Sequence, residues 1–261
     1  MSAGQNEASE RPEAPPLPPP VPADIGVVAA LPIEVGHLLD RLANVRKYTG
    51  PRHKVIEGEC SGKLIALIIG GPGRNAARRA TQLLLDGHRP NVLLSAGFAG
   101  ALDPDLKRND IVFASEVIDL EGSRWPIEVP VAADATPSQF RAGRLLTVDQ
   151  IVRTAAEKAE LRVRFEADLV DMESAAVAAV CSERRLRFQS IRVISDEAHT
   201  DLPPEILSIL GRSGGYRIGA AIGAVWRRPS SFKDLWALRE HAEEAADRLA
   251  QVVVGILTRL P

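Results

Sequence analysis

The chain has very little cysteine. Among 261 residues only Cys60 and Cys181 carry thiols, and they lie far apart in apolar segments. That is too sparse for a disulfide framework or a zinc site, so a reducing compartment, the cytoplasm, is expected. Charge of one sign is lacking as well. With 32 basic residues against 34 acidic ones, a net charge of −2 and no long basic block, no sequence-independent grip on nucleic acid is indicated. Long apolar runs are also missing. "LIALII" (64–69) and "VVVGIL" (252–257) fall far short of the ~20 residues of a membrane-spanning helix. The first 23 residues are rich in proline and small polar residues and contain no apolar signal core, so they read as a disordered leader. What remains is a soluble chain suited to a small, neutral or polar ligand.

From Asp24 onward, short β-rich runs alternate with longer helical ones. Strands are expected at 25–31, 54–60, 63–70, 90–97, 110–118, 143–152, 167–172 and 188–195. Helices are expected at 32–43, 71–87, 154–164, 174–186, 214–226 and along an amphipathic stretch after Ser231. Pro32 suits a helix start, and Gly87 a helix end. Such alternation predicts a three-layer α/β/α domain over 24–261, with a central mixed, largely parallel sheet. The last helix carries Phe232, Leu235, Trp236, Ala242, Ala245, Leu249, Val252, Val253 and Ile256 at three- and four-residue spacing. That stripe is expected to dock on the sheet, with membrane-surface contact as the alternative.

Two glycine-rich stretches follow strands. "GGPGRNA" (70–76) matches a dinucleotide fingerprint, but the next strand ends at Ser95, where ribose binding needs an acid. The fingerprint is therefore weak, although the helix start beyond Gly73 and Arg74 still offers N–H groups to an anion. "SAGFAGAL" (95–102) reads as a second such turn. In "DLVDMESAAVAAVC" (168–181), Asp171 and Glu173 stand where a strand meets a helix, and each alone is most simply a cap. A right-handed βαβ crossover nevertheless carries Asp171, Glu173, Ser195 and Asp196 to one end of the sheet. The strand over 25–31 delivers Glu34 there too. Several carboxylates from separate βα junctions, facing glycine-rich turns, read as a site.

Glu34 in "ALPIEV", together with "GGPGRNAA", "SAGFAGAL", "LVDMESAAVAAVC" and "IRVISDEA", falls in the order and spacing of the purine nucleoside phosphorylase and uridine phosphorylase superfamily. The chain most resembles its methylthioadenosine/S-adenosylhomocysteine nucleosidase branch. "EGSRWP" and "VWRRPSSFKDLWALREHAEEAADRLAQ" further resemble the hopanoid-biosynthesis-associated members, whose implied substrate is adenosylhopane.

This resemblance implies N-glycosidic cleavage of an adenine nucleoside through an oxocarbenium-like sugar. Asp196 would protonate purine N7, with Ser195 placing it, and Glu34 would activate the attacking water. Glu173 would accept hydrogen bonds from the ribose hydroxyls, and Met172 would pack under the sugar. Backbone groups at Val152 would read the base edge. Ile151 replaces a stacking phenylalanine of the nucleosidases. Phe98, after Gly97, replaces a serine of the turn. Around Ser123–Ala142 the chain is shorter than in the methylthioadenosine enzymes, which suits a larger apolar 5′-substituent.

Phosphorylases of the superfamily hold phosphate with an arginine just before the turn, where this chain has Ser95. Glu34 near the nucleophile position would repel a dianion, which favours water. Arg74 keeps phosphorolysis open, and a nucleoside-binding protein without turnover is a third reading. No metal or cofactor is implied. A homodimer is.

Overall fold

The computed structural model describes residues 21–49, 53–128, 141–202 and 230–257, with the side chains of the last helix described from Ala242. The leader (1–20), the helix expected at 214–226 and the apolar positions Phe232, Leu235 and Trp236 fall outside what is described.

The strands are β1 (Ile25–Ala29), β2 (Ala43–Thr49), β3 (Lys54–Cys60), β4 (Lys63–Ile69), β5 (Val92–Ala101), β6 (Ile111–Asp119), β7 (Arg124–Pro126), β8 (Arg141–Thr147), β9 (Leu169–Asp171) and β10 (Arg187–Asp196). The helices are α1 (Pro32–Leu39), α2 (Arg74–His88), α3 (Ala155–Phe165), α4 (Ser174–Arg184) and α5 (Ser230–Leu257). The strands form one mixed sheet in the order β10-β6-β8-β9-β5-β1-β4-β3-β2, with β7 on β6. A further β10–β5 pairing closes one half of the sheet into a ring. Parallel pairings join β4, β1, β5 and β10 in the centre, which is why β1 ("IGVVA") is buried along its whole length.

Alternate residues of the central strands feed two cores. Val27 and Ala29 pack with Val35 and Leu38 of α1 and with Ala245, Leu249 and Val253 of α5. Val28, on the other face, packs with Ala80 and Leu84 of α2 and with Val177 and Cys181 of α4. The described part of the C-terminal stripe therefore docks on the domain, with Arg41 pinned to Asp247 at 2.7 Å.

Several expected boundaries move. Helix α1 stops at Leu39, short of the expected 43, and 43–49, for which no element is expected beyond that helix end, forms an edge strand with six of its seven residues exposed and Tyr48 half-buried. Its charge keeps an edge from recruiting other strands, and it also conceals the β pattern. Helix α2 runs past Gly87 to His88 and ends on Arg89 at φ 42°. Most importantly, "SAGFAGA" is strand: β5 continues to Ala101 and pairs with both β10 and β9. The glycines there permit close packing around the strand.

Candidate active site

Three βα junctions and the far end of β5 meet at one edge of the sheet. Glu34, in the first turn of α1, folds its carboxylate back: Oε2 accepts the N–H groups of Ala30 (2.9 Å) and Leu31 (2.8 Å). Its Oε1 accepts the N–H of Phe98 (3.0 Å). Gly97 is required beside it, because a Cβ there would sit 2.7 Å from Glu34 Oε1. Burial pushes the Glu34 carboxyl up, against the lowering effect of these N–H groups and of Arg192.

Glu173 stands at the start of α4 and accepts the N–H of Gly73 at 2.6 Å. Gly73 has φ +91°, a conformation that costs glycine nothing and aims its N–H into the cleft. Burial, then the Asp171 and Glu34 charges, push Glu173 up to about 8, while the Gly73 hydrogen bond and Arg192 pull the other way. Glu34 and Glu173 line one cavity with Ser95, Gly97, Phe98 and Arg192.

The two acids of "DMES" divide their labour. Asp171 accepts the N–H of Ser174 (3.1 Å), the Thr147 hydroxyl (2.8 Å) and both Nε (3.2 Å) and Nη2 (2.9 Å) of Arg192. It is a cap and a counter-ion, as its position at a helix start suggests. Arg192, only 3% exposed, was not singled out in the sequence. It sits mid-strand in "IRVISD", and an arginine flanked by apolar residues in a buried strand is itself the signal. Its guanidinium also donates to the Ser95 carbonyl and hydroxyl, the Ile191 carbonyl and the Ser174 hydroxyl, each at 2.8 Å. A guanidinium has five N–H groups, and internal acceptors take them all.

The proposed anion-binding pair is likewise occupied. The Gly73 N–H holds Glu173, while Arg74 donates to Glu121 (3.0 and 3.1 Å) and lies 3.1 Å from Asp149.

Asp196 lies on the other side of the edge, outside the lining of that cavity. A bulge at the end of β10 sets Ile194 opposite Ala99 and Asp196 opposite Gly100, leaving Ser195 as the extra residue. Asp196 Oδ1 meets the Ser195 hydroxyl at 2.7 Å, and Oδ2 meets Lys158 Nζ at 2.6 Å. Met172 and Val152 pack half-buried against the cluster of Leu146, Val148 and Val170, and Ile151 precedes them in the loop after β8. Among the described residues no group of three or more potential metal ligands occurs.

Residues 24–258 match the family profile of the Phosphorylase superfamily. The chain is 29% identical over 225 residues to a 5′-methylthioadenosine/S-adenosylhomocysteine nucleosidase of Tolumonas auensis, covering 76% of this chain and 98% of the relative. It is 28% identical over 216 residues to the Shewanella baltica protein of the same name, covering 73% and 91%. Among solved structures, the Neisseria meningitidis nucleosidase in complex with methylthio-immucillin-A superposes with a TM-score of 0.69 at 22% identity, covering 90% of this chain and 99% of that one. A futalosine hydrolase mutant of Helicobacter pylori superposes with a TM-score of 0.68 at 19% identity, covering 90% and 99%. With the family match running from the first strand to the last helix, the chain belongs to the phosphorylase superfamily.

Proposed function

We propose that the chain hydrolyses the N-glycosidic bond of a 5′-substituted adenine nucleoside. The observation that carries this reading is the composition of the cavity. Its lining has two carboxylates and one arginine, and that arginine's five N–H groups are spent on Ser95, Asp171, Ser174 and Ile191. A phosphate dianion needs unspent cationic donors, whereas a water molecule needs an acceptor for its proton. The likeness to the nucleosidases of Tolumonas and Shewanella supports the same choice.

As the C1′–N9 bond breaks, its electron pair passes to adenine and the sugar becomes cationic. Asp196 gives its proton to N7. Water adds to C1′ from the opposite face, and Glu34 accepts the proton that water loses. Three backbone N–H groups fix Glu34 for this, and burial makes it a stronger base than an exposed carboxylate. Glu173 takes the ribose hydroxyls, Met172 the sugar face, Val152 the base edge and Ile151 the base plane. Phe98, in the cavity wall beside Gly97, suits an apolar 5′-substituent: the methylthio group or something larger, as in adenosylhopane. The same reading has the protein act as a homodimer in the cytoplasm, and two buried free thiols suit a reducing compartment.

The test is adenine release from methylthioadenosine, S-adenosylhomocysteine and adenosine. Wild type should release adenine from at least one of the 5′-thio substrates, and Glu34→Gln should release it about 10²-fold more slowly. Ligand-dependent stabilisation without adenine would favour a binding protein instead.

A further inference from the structure

Lys158 is 0% exposed and lies in the second turn of α3, a helix that supplies none of the residues discussed above. A buried ammonium is costly unless each of its three N–H groups finds an acceptor. Here all three do: Asp196 Oδ2 at 2.6 Å, the Glu197 carbonyl at 2.7 Å and the Thr200 carbonyl at 3.0 Å. The loop after β10 is laced to the start of α3 around it. Asp201 accepts the Ala155 N–H, Leu202 donates its N–H to the Arg153 carbonyl, and Arg153 Nε donates to the Leu202 carbonyl. The helix start is itself fixed by the reciprocal Thr154–Glu157 cap.

The other oxygen of Asp196 faces a hydroxyl with two options. Ser195 Oγ lies 2.7 Å from Asp196 Oδ1 and 3.2 Å from the Ala99 carbonyl, and it has one hydrogen to give. With Asp196 ionised, Ser195 donates to Oδ1. With Asp196 protonated on Oδ1, the acid donates to Ser195, which turns its hydrogen to Ala99. Both protonation states are satisfied without moving a heavy atom, and Lys158 touches Oδ2 in each.

Resting on the hydrolytic reading above, we propose that Lys158 is a positioning residue for protonation of the leaving base: its ammonium holds Asp196 and stabilises the carboxylate left when the proton passes to adenine. The balance is simple. Asp196 loses a proton and gains the negative charge, adenine N7 gains the proton, adenine keeps the N9 electron pair, and Lys158 remains an ammonium throughout. Interactions that strengthen as charge develops lower the barrier, and this one has its charge already oriented at 2.6 Å.

Among the described residues, most of the other titratable groups around this pair are engaged elsewhere. Glu197 faces Lys107 and the Arg108 N–H, Arg108 Nε donates to the Ser195 carbonyl, Glu157 caps Thr154, and Asp201 holds Ala155. His199 lies on the same loop, and Arg162 is bound to Asp103 and Asp168. Among the described residues, Lys158 is thus the cation in direct contact with Asp196.

The experiment compares wild type, Lys158→Met, Lys158→Arg, Asp196→Asn and the Lys158→Met/Asp196→Asn double variant on two substrates. One is methylthioadenosine. The other carries the same sugar on 4-nitrophenolate, which departs without a proton. Lys158→Met should lose roughly 10- to 100-fold in kcat on methylthioadenosine at its acidic plateau, part of the roughly 10²–10⁴ that a placed general acid supplies, and under about 3-fold on the nitrophenyl substrate. The alkaline fall of its kcat/KM should move to higher pH, because a buried carboxyl without its cation keeps its proton longer. Lys158→Arg should restore most of the rate. In the Asp196→Asn background Lys158→Met should cost little more.

Equal losses on both substrates, or an unmoved alkaline fall, would reduce Lys158 to a structural pin and overturn the proposal. If Lys158→Met does not fold, the neutral Lys158→Gln takes its place, and equal losses on both substrates or an unmoved alkaline fall in that variant would overturn it equally. A wild-type enzyme that cleaves neither these substrates nor S-adenosylhomocysteine would instead defeat the hydrolytic reading, and this proposal with it.

Discussion

The two sides of the active edge treat their carboxylates in opposite ways. On the β1/α2/α4 side, Glu34 and Glu173 share a cavity, are held by backbone N–H groups, and repel one another. The arginine that lines the same cavity, Arg192, is committed to Asp171 and Ser95. On the β10/α3 side, Asp196 is in direct ionic contact with a buried lysine. An arrangement that raises a carboxyl yields a better base and a neutral partner, and one that places a cation beside it stabilises the anion left after proton donation. On the proposed hydrolytic reading, one edge of the sheet prepares proton acceptance at Glu34 and proton delivery at Asp196 by separate means: backbone N–H groups and burial for the first, a buried lysine for the second.

Removing the acid should have the largest effect. Asp196→Asn should lower kcat by about 10²–10⁴ while a substrate analogue still raises the melting temperature, because shape survives and the proton does not. On the base side, Glu34→Gln should cost about 10² in kcat/KM and abolish the acidic limb of the pH profile. In wild type that limb should lie above the ordinary carboxylate range, since burial raises Glu34.

Arg192→Met sharpens the distinction between a structural and a chemical cation. It leaves Asp171 buried without its partner and should lower stability by about 3–5 kcal/mol, read from the urea midpoint. A subtler effect concerns Glu173. Its folded pKa of about 8 lies above the usual value of 4.5, so the folded state keeps a proton that the unfolded chain releases. This contribution is fully present below about pH 4.5 and is lost as pH rises through 8. Melting temperature should therefore fall more steeply between those limits in wild type than in Glu173→Gln.

Much of this was legible in the sequence, and the reasons differ residue by residue. Glu34, Glu173 and Asp196 stand at βα junctions, where apolar periodicity breaks, and the crossover rule brings them to one edge. The hydrophobic pattern also announced β1, the β3–β4 hairpin and the helices on both faces. Edge strand β2 escaped because its exposed, charged residues carry no alternation. The extended β5 escaped because glycine reads as a turn, when here Gly97 makes room for Glu34 and Gly100 for Asp196. Lys158 escaped for a different reason. In "AAEKAEL" it looks like any solvated helix residue, and only the path of the loop after β10 buries it. Arg74 looked available for an anion until the structure set Glu121 and Asp149 beside it, residues 47 and 75 positions further along the chain.

Hydrolysis requires that water, not phosphate, attack the sugar. The most direct measurement is the identity of the sugar released from methylthioadenosine, resolved by chromatography, in matched buffers with and without inorganic phosphate. Hydrolysis should give free 5-methylthioribose at equal rates in both. Sugar 1-phosphate, formed only when phosphate is present, would contradict it.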